Sequence, residues 1–110
     1  MFQTTCNKGF CLSFENGYTI SVQFGPGNYS SHNNNRDFLE PSQVDKWSSK
    51  SAEIAVWHTE SNDWVKLSEY DDVIGYLSAD EVAKAIEVVS NMSEPEGVKI
   101  IRKINLSEML

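Results

Sequence analysis

The chain is poor in cysteine, proline and basic residues, and it has no long apolar run. Its 110 residues include two cysteines and three prolines. Cys6 and Cys11 stand as C-x4-C, and with His32 and His58 they match no usual zinc spacing, so no metal is expected. The opening Met1-Phe2-Gln3-Thr4-Thr5-Cys6 has neither a basic region nor an apolar core. It is not read as a signal peptide, and the thiols are expected to be reduced. No stretch approaches the roughly 18 apolar residues that a membrane helix needs. Nine basic residues face sixteen acidic ones, a net charge of −7. That balance disfavours direct nucleic-acid binding, because phosphates are held by clustered Lys and Arg.

Catalytic signatures are also missing. There is no G-x-S-x-G, no H-E-x-x-H and no P-loop. Gly25-Pro26-Gly27-Asn28 leads into an Asn- and Ser-rich segment instead of a helix, and it lacks the lysine of a phosphate loop. Glu69, Asp71 and Asp72 could suggest a cation or general-acid site, yet the D-x-D-x-D-G calcium pattern is absent. No cofactor is expected and the chain is not read as an enzyme.

What is present is a core. Five Phe, four Tyr and three Trp are too many for a disordered acidic chain. A single domain spanning residues 1–110 is expected. Phe10, Leu12 and Phe14 alternate with Cys11 and Ser13, the period of a half-buried strand. Glu15-Asn16-Gly17 supplies a turn, because Asn-Gly accepts the positive φ angles that two-residue hairpin turns demand. The return strand carries Tyr18, Ile20, Val22 and Phe24 on one face and Thr19, Ser21 and Gln23 on the other. Gly25-Pro26-Gly27 ends it.

Residues 26–51 form a long polar loop without sustained periodicity, and a segment of that kind in a compact domain is often functional. It carries Tyr29, Arg36, Phe38 and Trp47, residue types that anchor interfaces. Glu53 to His58 then reads as a central strand, apolar on both faces. Ser61-Asn62-Asp63 is turn chemistry, and Trp64 to Leu67 is its expected partner. Val73 to Leu77 reads as a further strand, in which Gly75 would weaken the middle or mark a bulge.

Ser78-Ala79-Asp80-Glu81 is a capping box opening a helix over about 79–92. Val82, Ala85, Ile86, Val89 and Met92 share one of its faces. Val98 to Ile104 fits a strand or a helix face, with the strand preferred, and a peripheral tail follows about residue 105. The fold class is therefore α+β: a mainly antiparallel sheet of five or six strands with one helix on one face.

Charge is unevenly placed. Residues 1–50 hold four basic and four acidic groups, whereas residues 51–96 hold eleven carboxylates against Lys66 and Lys84. Asp63, Glu69, Asp71 and Asp72 are candidates for one acidic surface, suited to a basic protein.

The run Glu15-Asn16-Gly17-Tyr18-Thr19-Ile20-Ser21-Val22-Gln23-Phe24-Gly25-Pro26-Gly27-Asn28-Tyr29 resembles the opening of a group of small accessory proteins of tailed bacteriophages. Ala52 to Trp57, Val73 to Tyr76 and Ser78 to Val82 are similar to later segments of that group, so the resemblance covers about residues 10–92. It implies a phage protein in the cytoplasm of the bacterial host that binds and blocks a host protein, with nucleases and defence complexes among the targets. No active site carries over.

The expected function is thus an acidic binding protein that inhibits or modulates a host protein, of the anti-defence or anti-CRISPR kind, by occluding a basic surface. Tyr29, Arg36, Phe38 and Trp47 would anchor it, with Asp63, Glu69, Asp71 and Asp72 as the acidic complement. A stricter form is DNA mimicry, in which acids imitate a phosphate track. Alternatives are a small-ligand binder or enzyme using the 26–51 loop, and a self-associating protein pairing as a homodimer through Ile54 to Trp57 or its last strand. No membrane partner is expected.

Overall fold

A computed structural model describes residues 1–4, 9–25, 48–68, 71–93 and 106–110. Among these residues, five antiparallel strands lie side by side in chain order: β1 (Phe2–Thr4), β2 (Gly9–Ser13), β3 (Tyr18–Gln23), β4 (Ala52–His58) and β5 (Val73–Leu77). Helix α1 (Ala79–Ser90) packs against β3, β4 and β5, and a short α2 covers Leu106–Met109. The α+β architecture expected from the sequence is the one observed.

Strand register follows directly from the alternation. Pairs Phe10–Val22 and Leu12–Ile20 continue as Ile20–Val56 and Val22–Ile54, so apolar residues of three strands share the helix-facing side. Tyr18, Ile20, Ile54 and Val56 are fully buried there with Val82, Ala85 and Val89 of α1. Slipping any strand by one residue would turn this set away from the helix, which is why the register is fixed. The opposite side carries Cys11, Ser13, Thr19, Ser21, Ala55 and Trp57.

The first hairpin turns at the expected residues, but not by the two-residue chemistry that Asn-Gly suggests. Phe14 N–H donates to the Tyr18 carbonyl and Gly17 N–H to that of Phe14, so the loop is the three residues Glu15–Gly17, not two. Only Gly17 has positive φ there, at 91°. This is a turn closed by a left-handed glycine, the usual three-residue solution. Asn16 is released for another task. Its Nδ2 donates to the carbonyls of Val89 (2.8 Å) and Met92 (3.0 Å), and its Oδ1 accepts from Tyr18 N–H at 3.2 Å. One side chain therefore ties the hairpin to the C-terminal end of α1, where carbonyls lack helical partners.

The other end of α1 matches the sequence reading. Ser78 Oγ accepts from Glu81 N–H at 3.2 Å while the Glu81 carboxylate accepts from Ser78 N–H at 3.1 Å. The helix ends at Ser90, two residues short of the expected limit. Val82, Ala85 and Val89 are buried as the stripe required, and Ile86 and Met92 pack on the margin of the core.

β4 has a divided outer neighbour. Its first half pairs with β5, as Ala52–Leu77, Ile54–Ile74 and Ala55–Val73. Its second half meets the return of its own hairpin through a single bridge, Trp57–Trp64, and the Val65 N–H bond to the Val56 carbonyl. Trp64 to Leu67 is thus not a full strand: Trp64 and Lys66 are isolated bridge residues, Val65 and Leu67 are buried, and β5 begins at Val73. The register shift at Ala52/Ile54 is a bulge beside Gly75 and Tyr76, and Tyr76, not the glycine, takes the left-handed conformation (φ 57°).

Because β4 is flanked on both sides, Ile54 to Trp57 offers no free edge for self-association. Leu106 also departs from expectation. It is fully buried in the core and its N–H donates to the Leu67 carbonyl at 3.1 Å, so the chain is anchored where a peripheral tail was expected. The strand expected over residues 98–104 lies outside the described residues.

Candidate functional site

The turn between β4 and its return strand builds the most distinctive surface. His58 N–H donates to the Asp63 carbonyl and Asn62 N–H to that of His58, both at 2.8 Å. Asn62 accepts the left-handed conformation needed to close this loop (φ 61°), a geometry that asparagine tolerates well. The closure places Trp64 opposite Trp57 on the side away from α1. Their rings lie 5.8 Å apart and are inclined by 31°. Trp57 is half-buried, whereas Trp64 remains 46% exposed. An exposed indole braced by a second one is a rigid apolar platform that has little side-chain entropy left to lose on binding.

Hydroxyls border the platform. Ser13 Oγ and Thr19 Oγ1 are 2.8 Å apart, and Thr19 Oγ1 and Thr59 Oγ1 are 2.7 Å apart. Thr19 is the direct cross-strand neighbour of Trp57. The chain of hydroxyls satisfies this nearly buried threonine and holds the start of the turn.

Carboxylates lie along the same end. Glu60 is exposed on the turn and Asp63 closes it, its N–H donating to Ser61 Oγ at 3.3 Å. Exposed Asp71 and Asp72 precede Val73, which faces Ala55, two positions from Trp57 on β4. Two positions along a strand are about 7 Å, so the backbone brings Asp72 close to Trp64. The Asp71 carbonyl accepts from Leu67 and Ser68 N–H, and Asp71 N–H donates to Ser68 Oγ at 3.1 Å, fixing the excursion between Leu67 and β5. Among the described residues none of these carboxylates pairs with a cation.

Asp63 lies in the turn after β4, and Asp71 and Asp72 lie at the entrance to β5. Glu69, Tyr29, Arg36, Phe38 and Trp47 lie outside the described residues. The Trp57–Trp64 pair was missed in the sequence. Its signal was the symmetry of the turn: closing the chain between His58 and Asp63 sets residues 57 and 64 opposite each other.

Other candidates separate. His58 is buried at 7% exposure on the helix side, edge-on to Tyr18 with centroids 5.3 Å apart and planes at 79°. Its Nε2 has no hydrogen-bond partner among the described residues. Cys11 is a buried free thiol on the opposite side of the sheet from His58. Among the described residues, no three His, Cys, Asp or Glu side chains converge for a metal, and no helix is long and apolar enough to cross a membrane.

At the far end of the sheet an open cavity of about 220 Å³ is lined by Phe10, Val22, Phe24, Leu77 and Val82, with Ser49, Lys50 and Ser51 at its polar side. No carboxylate, imidazole or thiol from the described residues lines it.

Comparison with known proteins decides nothing further. No family model, no curated protein and no solved structure matches this chain.

Proposed function

We propose that this chain is a protein-binding module. Its tryptophan-bearing acidic end docks on a basic surface of a partner and blocks access to it. The observation that carries this reading is Trp64, half exposed and stacked on Trp57, with Glu60, Asp63, Asp71 and Asp72 along the same edge. Tryptophan is the residue type most enriched among interface hot spots, and a rim of unpaired carboxylates speeds encounter with a cationic partner. The chemistry is occlusion: the indole fills an apolar recess, and the carboxylates meet Lys or Arg around it. The bacteriophage resemblance of the sequence extends the proposal to a host protein as the partner, with inhibition of a defence complex or nuclease in the bacterial cytoplasm as the consequence.

The test is capture from bacterial lysate by the tagged chain, repeated with Trp64→Ala and with Asp71→Asn/Asp72→Asn. The expected result is one stoichiometric partner whose binding falls at least tenfold with Trp64→Ala, a loss of about 1.4 kcal/mol. The amide pair should slow association and flatten its salt dependence. Capture that all variants retain equally would refute the site, and a dependence on salt with none on Trp64 would favour the DNA-mimic form.

A further inference from the structure

The cavity at the far end of the sheet from the tryptophans plays no part in the surface proposed for partner binding. Val22, Ala52, Leu77 and Val82 line it, yet none is more than 8% exposed. The space is therefore a recess that enters the core between the first turn of α1 and the sheet. Partly buried Phe10 and Phe24 complete its apolar wall. Apolar recesses with a few convergent polar groups are where small molecules bind.

The polar side chains of the lining come from one short segment, Ser49, Lys50 and Ser51. Ser49 Oγ donates to the Ser51 carbonyl at 2.7 Å and accepts from Ser51 N–H at 3.4 Å, which bends the segment around Lys50. Lys50 is exposed and, among the described residues, pairs with no carboxylate. A lysine so placed lays its carbon stem along an apolar rim and keeps its ammonium in water. Asp80 and Glu81 follow Ala79 in the first turn of α1 but do not line the recess, and the Glu81 carboxylate is engaged with Ser78 N–H at 3.1 Å.

We propose that this recess binds a medium-chain aliphatic carboxylate, its alkyl chain between α1 and the sheet and its carboxylate on the Lys50 ammonium at the mouth. Charge selects the head group. Lys50 is the one ionisable side chain among the described lining residues, so a single negative charge is matched and a cation is repelled. The walls offer no side-chain hydrogen bond, which an alkyl chain does not need. Volume selects the chain length. An apolar cavity of ~150 Å³ takes benzene, six carbons, so by proportion 220 Å³ holds a chain of about eight.

This inference is independent of the tryptophan site and is tested without any macromolecular partner. Octanoate is titrated into the full chain and followed by amide NMR shifts, with octanol as the neutral analogue and acetate as the bare head group. Octanoate should saturate with a Kd of about 1 mM or below, moving the amides of Val22, Ser51 and Leu77 and leaving that of Trp64 in place. Acetate should not bind at the same concentrations. Lys50→Gln should weaken octanoate about fivefold and leave octanol unchanged. Ala79→Phe fills the recess from an exposed lining position and should weaken both ligands at least tenfold. Urea midpoints confirm that each variant is folded. The proposal is overturned if octanoate gives no saturable shift, if its shifts centre on Trp64, or if Ala79→Phe leaves its binding intact. Equal binding of octanoate and octanol, unchanged in Lys50→Gln, would also overturn it and assign the recess to a neutral apolar group such as a partner's side chain.

Discussion

Replacing Asn16 should cost far more than a turn residue ordinarily does. Its side chain makes three bonds: Nδ2 to the carbonyls of Val89 and Met92, and Oδ1 from Tyr18 N–H. At about 1 kcal/mol net for each bond, Asn16→Ala should lose about 2–3 kcal/mol. The upper end is limited because the Val89 carbonyl also accepts from Met92 N–H at 3.2 Å and so is not orphaned. Asn16→Asp is the sharper test. Above its pKa the new carboxylate can only accept, yet it faces two carbonyl oxygens at the negative end of α1. It should lose about 1 kcal/mol more than alanine at pH 7.

The sign of the pH dependence follows from the same contacts. They disfavour the charged form, so the introduced carboxyl has a higher pKa folded than the unfolded value of about 3.9. The extra deficit is absent below about 3.9, grows as pH rises through the interval between the two values, and is complete above the folded one. Urea unfolding followed by tryptophan fluorescence, with wild type measured beside each variant at pH 7 and about pH 4, reads these differences directly. The reasoning fails if Asn16→Ala costs under about 0.5 kcal/mol, or if Asp and Ala variants differ from wild type by the same amount at both pH values.

Three further substitutions probe particular contacts. His58→Phe keeps the edge-on contact with Tyr18 and removes the partnerless Nε2, so the urea midpoint should rise by the equivalent of about 1 kcal/mol; a loss of stability would mean that the imidazole has a partner. Gly9→Ala should destabilise by over about 2 kcal/mol in the same assay, because a Cβ there would collide with the Val22 carbonyl across the β2–β3 pair. Tyr76→Gly relieves a left-handed backbone while losing a ring that is 64% exposed, and thermal unfolding should show a gain of about 1 kcal/mol.

Much of the fold was legible because its signals are local. The Phe10–Phe14 and Tyr18–Phe24 alternations, and the capping box at Ser78, each specify an element from neighbouring residues alone. The hairpin loop was misjudged because Asn-Gly favours a two-residue turn locally, whereas the observed turn frees the Asn16 side chain for a helix 73 residues away. The Trp64–Leu67 partner strand was overextended for a related reason: alternation places Val65 and Leu67 inward, as observed, but does not reveal that the Leu67 carbonyl bonds Leu106 N–H. At the candidate site the carboxylates were visible as composition, but the indole platform depends on a turn register set by Asn62. Burial of Leu106 has no local signature at all, since a four-residue helical turn gains its stability from the core that it enters.

The divided neighbour of β4 has an evolutionary consequence. Pairing on one side of the excursion is closed by the Trp57–Trp64 bridge and on the other by Ala55–Val73, so Ser68 to Asp72 is bracketed by backbone bonds at both ends. Residues can be exchanged or inserted inside such brackets while the strands on either side keep their register. Sequence drift in this short stretch therefore leaves the hydrophobic interior untouched.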